Sequence, residues 1–459
     1  MPPSRWTVVF LLLTLYSSLS LMGCLSIDLT PLQAQVFYLK TKGSLDNIRP
    51  FVHPEGRGHP LMAGSARVDI TPPVGTPLAG YGNRMGRGSI GIHDRLYTRA
   101  VAMSNGDQTV IILANDLLAI TDDLFKAVYK KITREIPLEP NALMISASHT
   151  HSGPGALAKK FWESFATGPF DPNLFEDTTQ RMARAALEAY QRMKPARLGG
   201  GSIPVPELIR NRMVEGAPVD PSLGFIVIET LDQTATVYLV NYSAHPTVLK
   251  DNNYLISGDF PGAIERRLEE DLGVIALYTA GAVADLTANP PPASDDFGKA
   301  EKMGMMLADK LLEATQSVEY REQVRIGAVQ ATIDLPPTQI KLGPSLRLAS
   351  TLGNLFFDRQ TVIQAILIGD ILLLGVPCDL SSEIGLEIKK HAQDYGLHAL
   401  IIGFANDYIG YVIPGKYYYA DAYETRMSFN GPYMDTYLKE VSFELVQSLI
   451  VHRQIRGGD

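Results

Sequence analysis

Ala142-Leu143-Met144-Ile145-Ser146-Ala147-Ser148-His149-Thr150-His151-Ser152-Gly153-Pro154-Gly155 joins an uncharged, mostly apolar run to a histidine pair and a glycine–proline turn. Such a run bounded by a turn reads as a buried strand over Ala142–Ala147. The side-chain period of two then puts His149 and His151 on one face, with the turn ending the strand and leaving that edge open. A histidine pair of this spacing is weak grounds for a metal by itself. Three further segments strengthen it. His245, in Tyr242-Ser243-Ala244-His245-Pro246, follows the apolar strand Ala235–Tyr242. Pro377-Cys378-Asp379 follows Ile366–Val376, and Asn406-Asp407-Tyr408-Ile409-Gly410-Tyr411 follows His398–Phe404. Open α/β sheets place their sites beyond the carboxyl ends of strands, where all four segments fall. Two imidazoles and a carboxylate suit Zn²⁺, leaving positions for another ligand and a water.

Working outward, apolar runs alternate with amphipathic segments, which predicts an α/β fold with a mixed β-sheet core flanked by helices. Further strands are expected at Thr109–Ala114, Phe225–Glu229, Gly273–Tyr278 and, with cleaner alternation, Arg325–Leu335. Helices are expected at Asn173–Lys194, stopped by Pro195, and at Pro261–Leu272, closed by Gly273. Ser294–Gln316 (from a capping serine), Ser382–Tyr395 and Met434–Arg453 complete the set. Pro290–Pro292 reads as a surface loop, because site segments lie on both sides of it.

The 459 residues are 46% hydrophobic and 20% charged, which excludes a disordered chain, and two cysteines exclude a disulfide scaffold. A net charge of −8 without any Lys/Arg run argues against a nucleic-acid partner. At the N-terminus Arg5 precedes Trp6–Met22, a stretch without a charge, as in a secretory signal. Leu21-Met22-Gly23-Cys24 resembles a bacterial lipobox, which implies cleavage before Cys24 and acylation of its thiol. An uncleaved N-terminal anchor is the alternative, and in both cases the body faces outside the cytoplasm, held at a membrane. The division expected is a lipoprotein signal over 1–23, a tether over 24–62 with scattered prolines, and one catalytic domain over 63–459.

Five ordered segments carry a family resemblance. These are Gly91-Ile92-His93-Asp94-Arg95-Leu96-Tyr97-Thr98-Arg99-Ala100, His149 to Gly155, Arg210-Asn211-Arg212, Tyr242–Pro246 with Leu255–Asp259, and Phe404–Tyr411. Together they resemble the neutral (non-lysosomal) ceramidase family, in order from about Gly64 to the C-terminal helix. The resemblance implies a zinc amidase that cleaves the N-acyl bond of ceramide, a lipid amide, into sphingosine and fatty acid. It implies His149, His245, Asp379 and Tyr411 as zinc ligands and His151 as proton relay or oxyanion partner. Arg212 and Tyr423 would complete the donor set, and Thr287 would contact substrate. Three departures accompany it. Asp379 stands where the family usually offers Glu, and Thr287 replaces a serine within Ala284–Asn289. The stretch between Thr287 and Asp379 is compact, and no counterpart of the family's C-terminal immunoglobulin-like domain is seen. A zinc amidase acting on another N-acyl lipid or a cell-wall amide, and a silent surface-anchored zinc protein, remain alternatives.

Several residues have plainer readings. Cys378 is expected to turn away from Asp379, since neighbours after a strand point in opposite directions. Asp116, after another apolar strand, is either an orienting partner of a metal histidine or a turn residue. His93 has no assigned task, and His53, His59, His391, His398 and His452 read as surface or packing residues. Ser345–Phe357 has Leu346, Leu348, Leu352, Leu355 and Phe356 at helical spacing, as core packing or as an acyl-pocket wall.

Overall fold

The computed structural model describes residues 24–46, 48, 51–52, 60–160 and 163–454. The signal expected over 1–23, and His53 and His59, lie outside the described residues. Strands β1 (Met62–Asp69), β2 (Tyr97–Ser104), β3 (Thr109–Asn115), β4 (Leu143–Ala147), β5 (Lys194–Pro204), β6 (Ser222–Thr230), β7 (Thr236–Tyr242) and β8 (Ile275–Ala280) form one mixed sheet. Its order is β8-β7-β6-β5-β1-β2-β3-β4. A second mixed sheet holds β9 (Ile326–Asp334), β10 (Gln360–Ile368), β11 (Ile371–Gly375) and β12 (His398–Ile402), in that order, with Phe51–Val52 on its β9 edge. The mixed sheet flanked by helices is thus present, and it is doubled.

Period-two alternation decides how the second sheet is buried. Ile371 and Leu373 of β11 join the core shared with the large sheet, whereas Leu372 and Leu374 join a second core. Glycines let the sheets approach: a Cβ on Gly200 or Gly224 would collide with Ile371 or Leu400. Helices cover both outer faces. On the large sheet lie α2 (Asp122–Ile132), α3 (Pro172–Gln191), α4 (Asp259–Leu272) and α5 (Asp296–Thr315). On the small sheet lie α1 (Val36–Leu45), α6 (Ser382–Asp394) and α7 (Met434–Gln454). Among the described residues no helix is long and apolar enough to cross a membrane.

Three parallel pairs matter for the site: β3 with β4, β7 with β8, and β11 with β12. Each is closed by a crossover helix, α2, α4 and α6 respectively, so their carboxyl ends open on the same side of each pair. A buried amide couples the sheets. Asn406, just past β12, accepts from the Ile145 N–H of β4 (2.8 Å) and donates to Gln364 of β10 (2.6 Å).

Several boundaries differ from the sequence reading. Ile366–Val376 is two strands, β10 and β11, because Gly369-Asp370 makes a two-residue hairpin turn with Gly369 at φ 65°. Helix α3 ends at Gln191, and Lys194 already opens β5. Asp295, not Ser294, caps α5 through the Gly298 N–H. The described part of the expected tether holds regular structure. Cys24–Ser26 pairs antiparallel with Leu346–Leu348, and α1 buries Tyr38, Thr41 and Leu45, with Tyr437 donating to Thr41 at 2.7 Å. Its contiguous Val36-Phe37-Tyr38-Leu39 shows no helical period, so only tertiary packing reveals the helix.

Candidate metal centre and its pocket

The four predicted segments meet where the strand ends converge. His149 and His151 follow β4, and His245 follows β7. Asp379 follows β11 and Tyr411 comes nine residues past β12, in two short strands that pair in parallel with Asp379 opposite Tyr411. The histidine pair is not held by strand periodicity. Strand β4 stops at Ala147, and His149 takes a left-handed backbone conformation, φ 66°, which turns the loop so that both rings face one point.

The three imidazoles converge edge to edge. His149 Nε2 lies 3.0 Å from His245 Nε2, and His151 Nε2 lies 3.3 Å from each of them. His149 Nδ1 donates to the Leu118 carbonyl at 2.6 Å, and His245 Nδ1 to the Val283 carbonyl at 3.4 Å. These bonds fix the tautomers, so the Nε2 atoms carry lone pairs rather than protons. Asp379 Oδ1 lies 3.5 Å from His149 Nε2 and accepts no hydrogen bond from any described residue. Its Oδ2 accepts from the Tyr408 hydroxyl at 2.7 Å. The Nε2 lone pairs of His149 and His245 and the orphaned Asp379 oxygen repel one another unless a cation sits among them, and the three imidazoles lie close enough together to hold a metal ion.

Burial sets the charge states. It lowers His149 to about 3, only partly offset by the Leu118 hydrogen bond. It holds His151 and His245 well below their usual value, reinforced by neighbouring cations and rings. All three are therefore neutral at pH 7, the form that ligates. Burial raises Asp379 to about 7, against the pull of Tyr408, Arg212 and Tyr411.

Other predicted residues fall at different distances. Arg212 donates to the Tyr411 hydroxyl (3.3 Å) and pairs with Glu424 (2.9 Å). Burial opposes its charge, but Tyr411, Glu424 and Asp379 outweigh that and raise its pKa. The ring of Tyr423 stands 5.7 Å from that of Tyr411, with Tyr423 exposed at the rim. Thr287 reaches the group only through its backbone, bridged in parallel to His245. Cys378 is buried among the residues of the second core, as its position after a strand predicts. Asp116 does not orient a histidine: its Oδ2 takes the Tyr97 N–H (2.7 Å) and Arg99 (3.1 Å), and Arg99 also pairs with Glu265 and Glu269. His93 is bonded to Asp94 and stacked on Phe297. The Leu118 carbonyl, not Asp116, orients the His149 ring.

Sequence reasoning missed the supporting residues. Phe404 stacks on His149 at 3.8 Å and 7°, Tyr408 holds Asp379, and Glu424 holds Arg212. Tyr408 lay inside a quoted motif and Glu424 beside Tyr423, so adjacency was the available signal. Buried Arg84 donates to the His151 carbonyl, and Gly80 leaves room for that ring. A pocket of about 120 Å³ opens beside the group, lined by His149, His151, Tyr408, Tyr411 and Tyr423 and by apolar Leu117, Leu118, Leu124, Leu157, Ala158 and Met427. Glu163 also lines it, and burial raises that carboxyl to about 7.

The sequence and the fold have counterparts. The family model described as neutral/alkaline non-lysosomal ceramidase, N-terminal, matches residues 61–289. The neutral ceramidase of Pseudomonas aeruginosa is 21% identical over 486 residues, covering 85% of this chain and 72% of that protein. That of Mycobacterium tuberculosis is 28% identical over 243 residues, covering 48% of this chain and 37% of that protein. The crystal structure of the Pseudomonas aeruginosa neutral ceramidase shares the fold, with a TM-score of 0.74 at 20% identity, over 86% of this chain and 75% of that one. The family model runs through the strands that deliver His149, His151 and His245, and the chain belongs to the neutral/alkaline non-lysosomal ceramidase family.

Proposed function

We propose that the protein is a zinc-dependent amide hydrolase that cleaves the N-acyl linkage of ceramide, releasing sphingosine and a free fatty acid. The observation that carries this reading is the convergence of three imidazole Nε2 atoms, with Asp379 Oδ1 beside them, next to an apolar pocket that His149 and His151 line. His149, His245, Asp379 and Tyr411 would hold the metal, an imidazole, carboxylate and phenol set suited to Zn²⁺. Zn²⁺ bound there supplies Lewis acidity and an acidified water at neutral pH.

The chain's own groups supply the rest. Neutral His151, its Nδ1 without a partner among the described residues, accepts a proton at Nε2 from the attacking water. It then returns that proton to the departing amine nitrogen as the C–N bond breaks and the new C–O bond completes the acid. Arg212 and Tyr423 donate toward negative charge developing on the carbonyl oxygen. Leu117, Leu157, Ala158 and Met427 exclude water from the acyl chain.

The leader supports an exported, membrane-held protein, acylated at Cys24 by the lipobox-like Leu21-Met22-Gly23-Cys24. Fatty-acid release from ceramide, with and without a zinc chelator, tests the activity. Chelator-sensitive release is expected. Metal-loaded protein that releases nothing from ceramide, but cleaves another N-acyl lipid, would move the substrate while keeping the chemistry.

A further inference from the structure

Of the five apolar residues spaced along Ser345–Phe357, Leu348 is half-buried and the other four occupy neither of the places their spacing suggests. Leu346, Leu352, Leu355 and Phe356 are exposed, by 52%, 38%, 75% and 42%, and none lines the pocket. Leu342 and Leu29, also exposed, extend the same region, because Ile27 pairs with Ser345 and Leu342 with Leu346 through backbone hydrogen bonds. Scattered exposed leucines need no explanation, but a contiguous set marks a surface that something covers.

Both ends of this surface are fixed. At one end Leu348 is the register partner of Cys24, which in sequence stands two residues after the uncharged run Trp6–Met22. At the other end Asp358 is ion-paired to Lys160, two residues past the pocket-lining Ala158. Phe357 packs on Phe429 at 4.4 Å, and Phe429 closes over Gly410, the neighbour of Tyr411. The exposed apolar face therefore runs from the point where the leader joins the body to the mouth of the pocket.

We propose that this face, Leu346–Phe356 with the ribbon it forms with Cys24–Ser26, docks onto a lipid bilayer and seats the pocket mouth at the headgroup–acyl boundary. The inference rests on the membrane-held reading above. Whatever holds Cys24 must lie against the strand that Cys24 belongs to, and an anchor in lipid brings lipid to Leu346 and Leu348. The docked face then gives a membrane-borne amide a path into the apolar pocket without crossing water.

Spin labels on the full chain bound to phosphatidylcholine–phosphatidylglycerol vesicles test this directly. Labels at Leu346→Cys and Leu355→Cys should be accessible to oxygen and shielded from a water-soluble nickel chelate. A label at Leu231→Cys, in the turn at the opposite end of β7 from His245, should show the reverse; unlabelled background comes from the parent chain. The double substitution Leu355→Glu/Phe356→Glu should raise KM for vesicle-embedded substrate about tenfold, with activity on a soluble short-chain amide within about twofold. Equal nickel access at Leu355 and Leu231 on vesicles, or failure of the full chain to bind vesicles, would overturn the proposal. Shielding of Leu355 in the absence of vesicles would overturn it in favour of a second copy of the chain. Shielded labels on a protein that cleaves no ceramide would end the ceramidase reading and leave the docking face standing.

Discussion

A neutral imidazole is both the ligand form and the base form of histidine, so burial alone does not separate the roles of the three site rings. Their Nδ1 partners do. Backbone carbonyls fix His149 and His245, whereas His151 Nδ1 has no described partner and its ring packs at 4.7 Å from Tyr81. His149→Ala and His245→Ala should lose metal and hydrolysis together. His151→Ala should keep one metal per chain and lose about 10²–10⁴-fold in kcat, a general acid–base contribution. Metal analysis of the purified variants decides it, and an empty His151→Ala protein would make that ring a ligand. Asp379 sets the pH dependence of binding. Its metal-free pKa is about 7 and it ligates as the anion, so metal affinity should fall about tenfold for each pH unit below 7 and level off above it. The histidines, at about 3 for His149 and well below the usual value for the others, add no slope near neutrality. Asp379→Asn should flatten the profile, and Tyr408→Phe, which removes the bond to Oδ2, should weaken metal binding about 10–100-fold.

At the scale of elements, the three crossover units are what the sequence shows best. Apolar runs ending in His149, His245 and Asp379 need no structure to be recognised, because parallel strands buried on both faces are continuous and their carboxyl ends are where sites form. What the sequence conceals is held by tertiary contact. β1, β2 and β5 have mixed compositions, Arg99 being buried in β2 only because Asp116, Glu265 and Glu269 surround it. The Gly369-Asp370 turn was legible in principle and hides inside an apolar run. The conformation that presents the histidine pair is equally local and equally hidden: His149 at φ 66° and Gly80 at φ 102° are loop geometries, not periodicities. Gly80 makes this testable. A Cβ there would stand 2.4 Å from His151 Nδ1, and the positive φ adds strain to any side chain. Gly80→Ala should therefore retain metal at His149 and His245 while displacing His151. The expected loss is about 10²-fold in kcat, with KM nearly unchanged, since misplacement of a reacting group by about 1 Å costs that much. An unchanged kcat would show that the ring tolerates the shift and that its position is not critical.

For the whole molecule, the candidate ligands divide between the two sheets. His149 and His245 follow β4 and β7 of the large sheet, and Asp379 and Tyr411 follow β11 and β12 of the small one. Between the strand ends the sheets are joined by apolar side chains and by Asn406, whose amide spans β4 and β10. Without a cation, the lone pairs of His149, His245 and Asp379 face one another across that junction and work against it; with a cation, they hold it together. Metal binding should therefore appear as global stability. A ligand that binds only the folded state at about 100 times its Kd contributes about 2.7 kcal/mol. Added zinc should raise the thermal midpoint of the metal-free protein, and Asp379→Ala, which removes the small sheet's carboxylate, should abolish most of that rise. The pH dependence follows with its sign. Above pH 7 the rise should be constant at fixed free zinc, because Asp379 is already ionised. Below pH 7 it should shrink by about 1.4 kcal/mol for each unit, the energy of one proton displaced at Asp379. Differential scanning calorimetry at pH 6, 7 and 8 reads this directly. A zinc-induced rise that stays constant down to pH 6 would mean that Asp379 is ionised before the metal arrives, and that the gap between the sheets is already closed by something other than the cation.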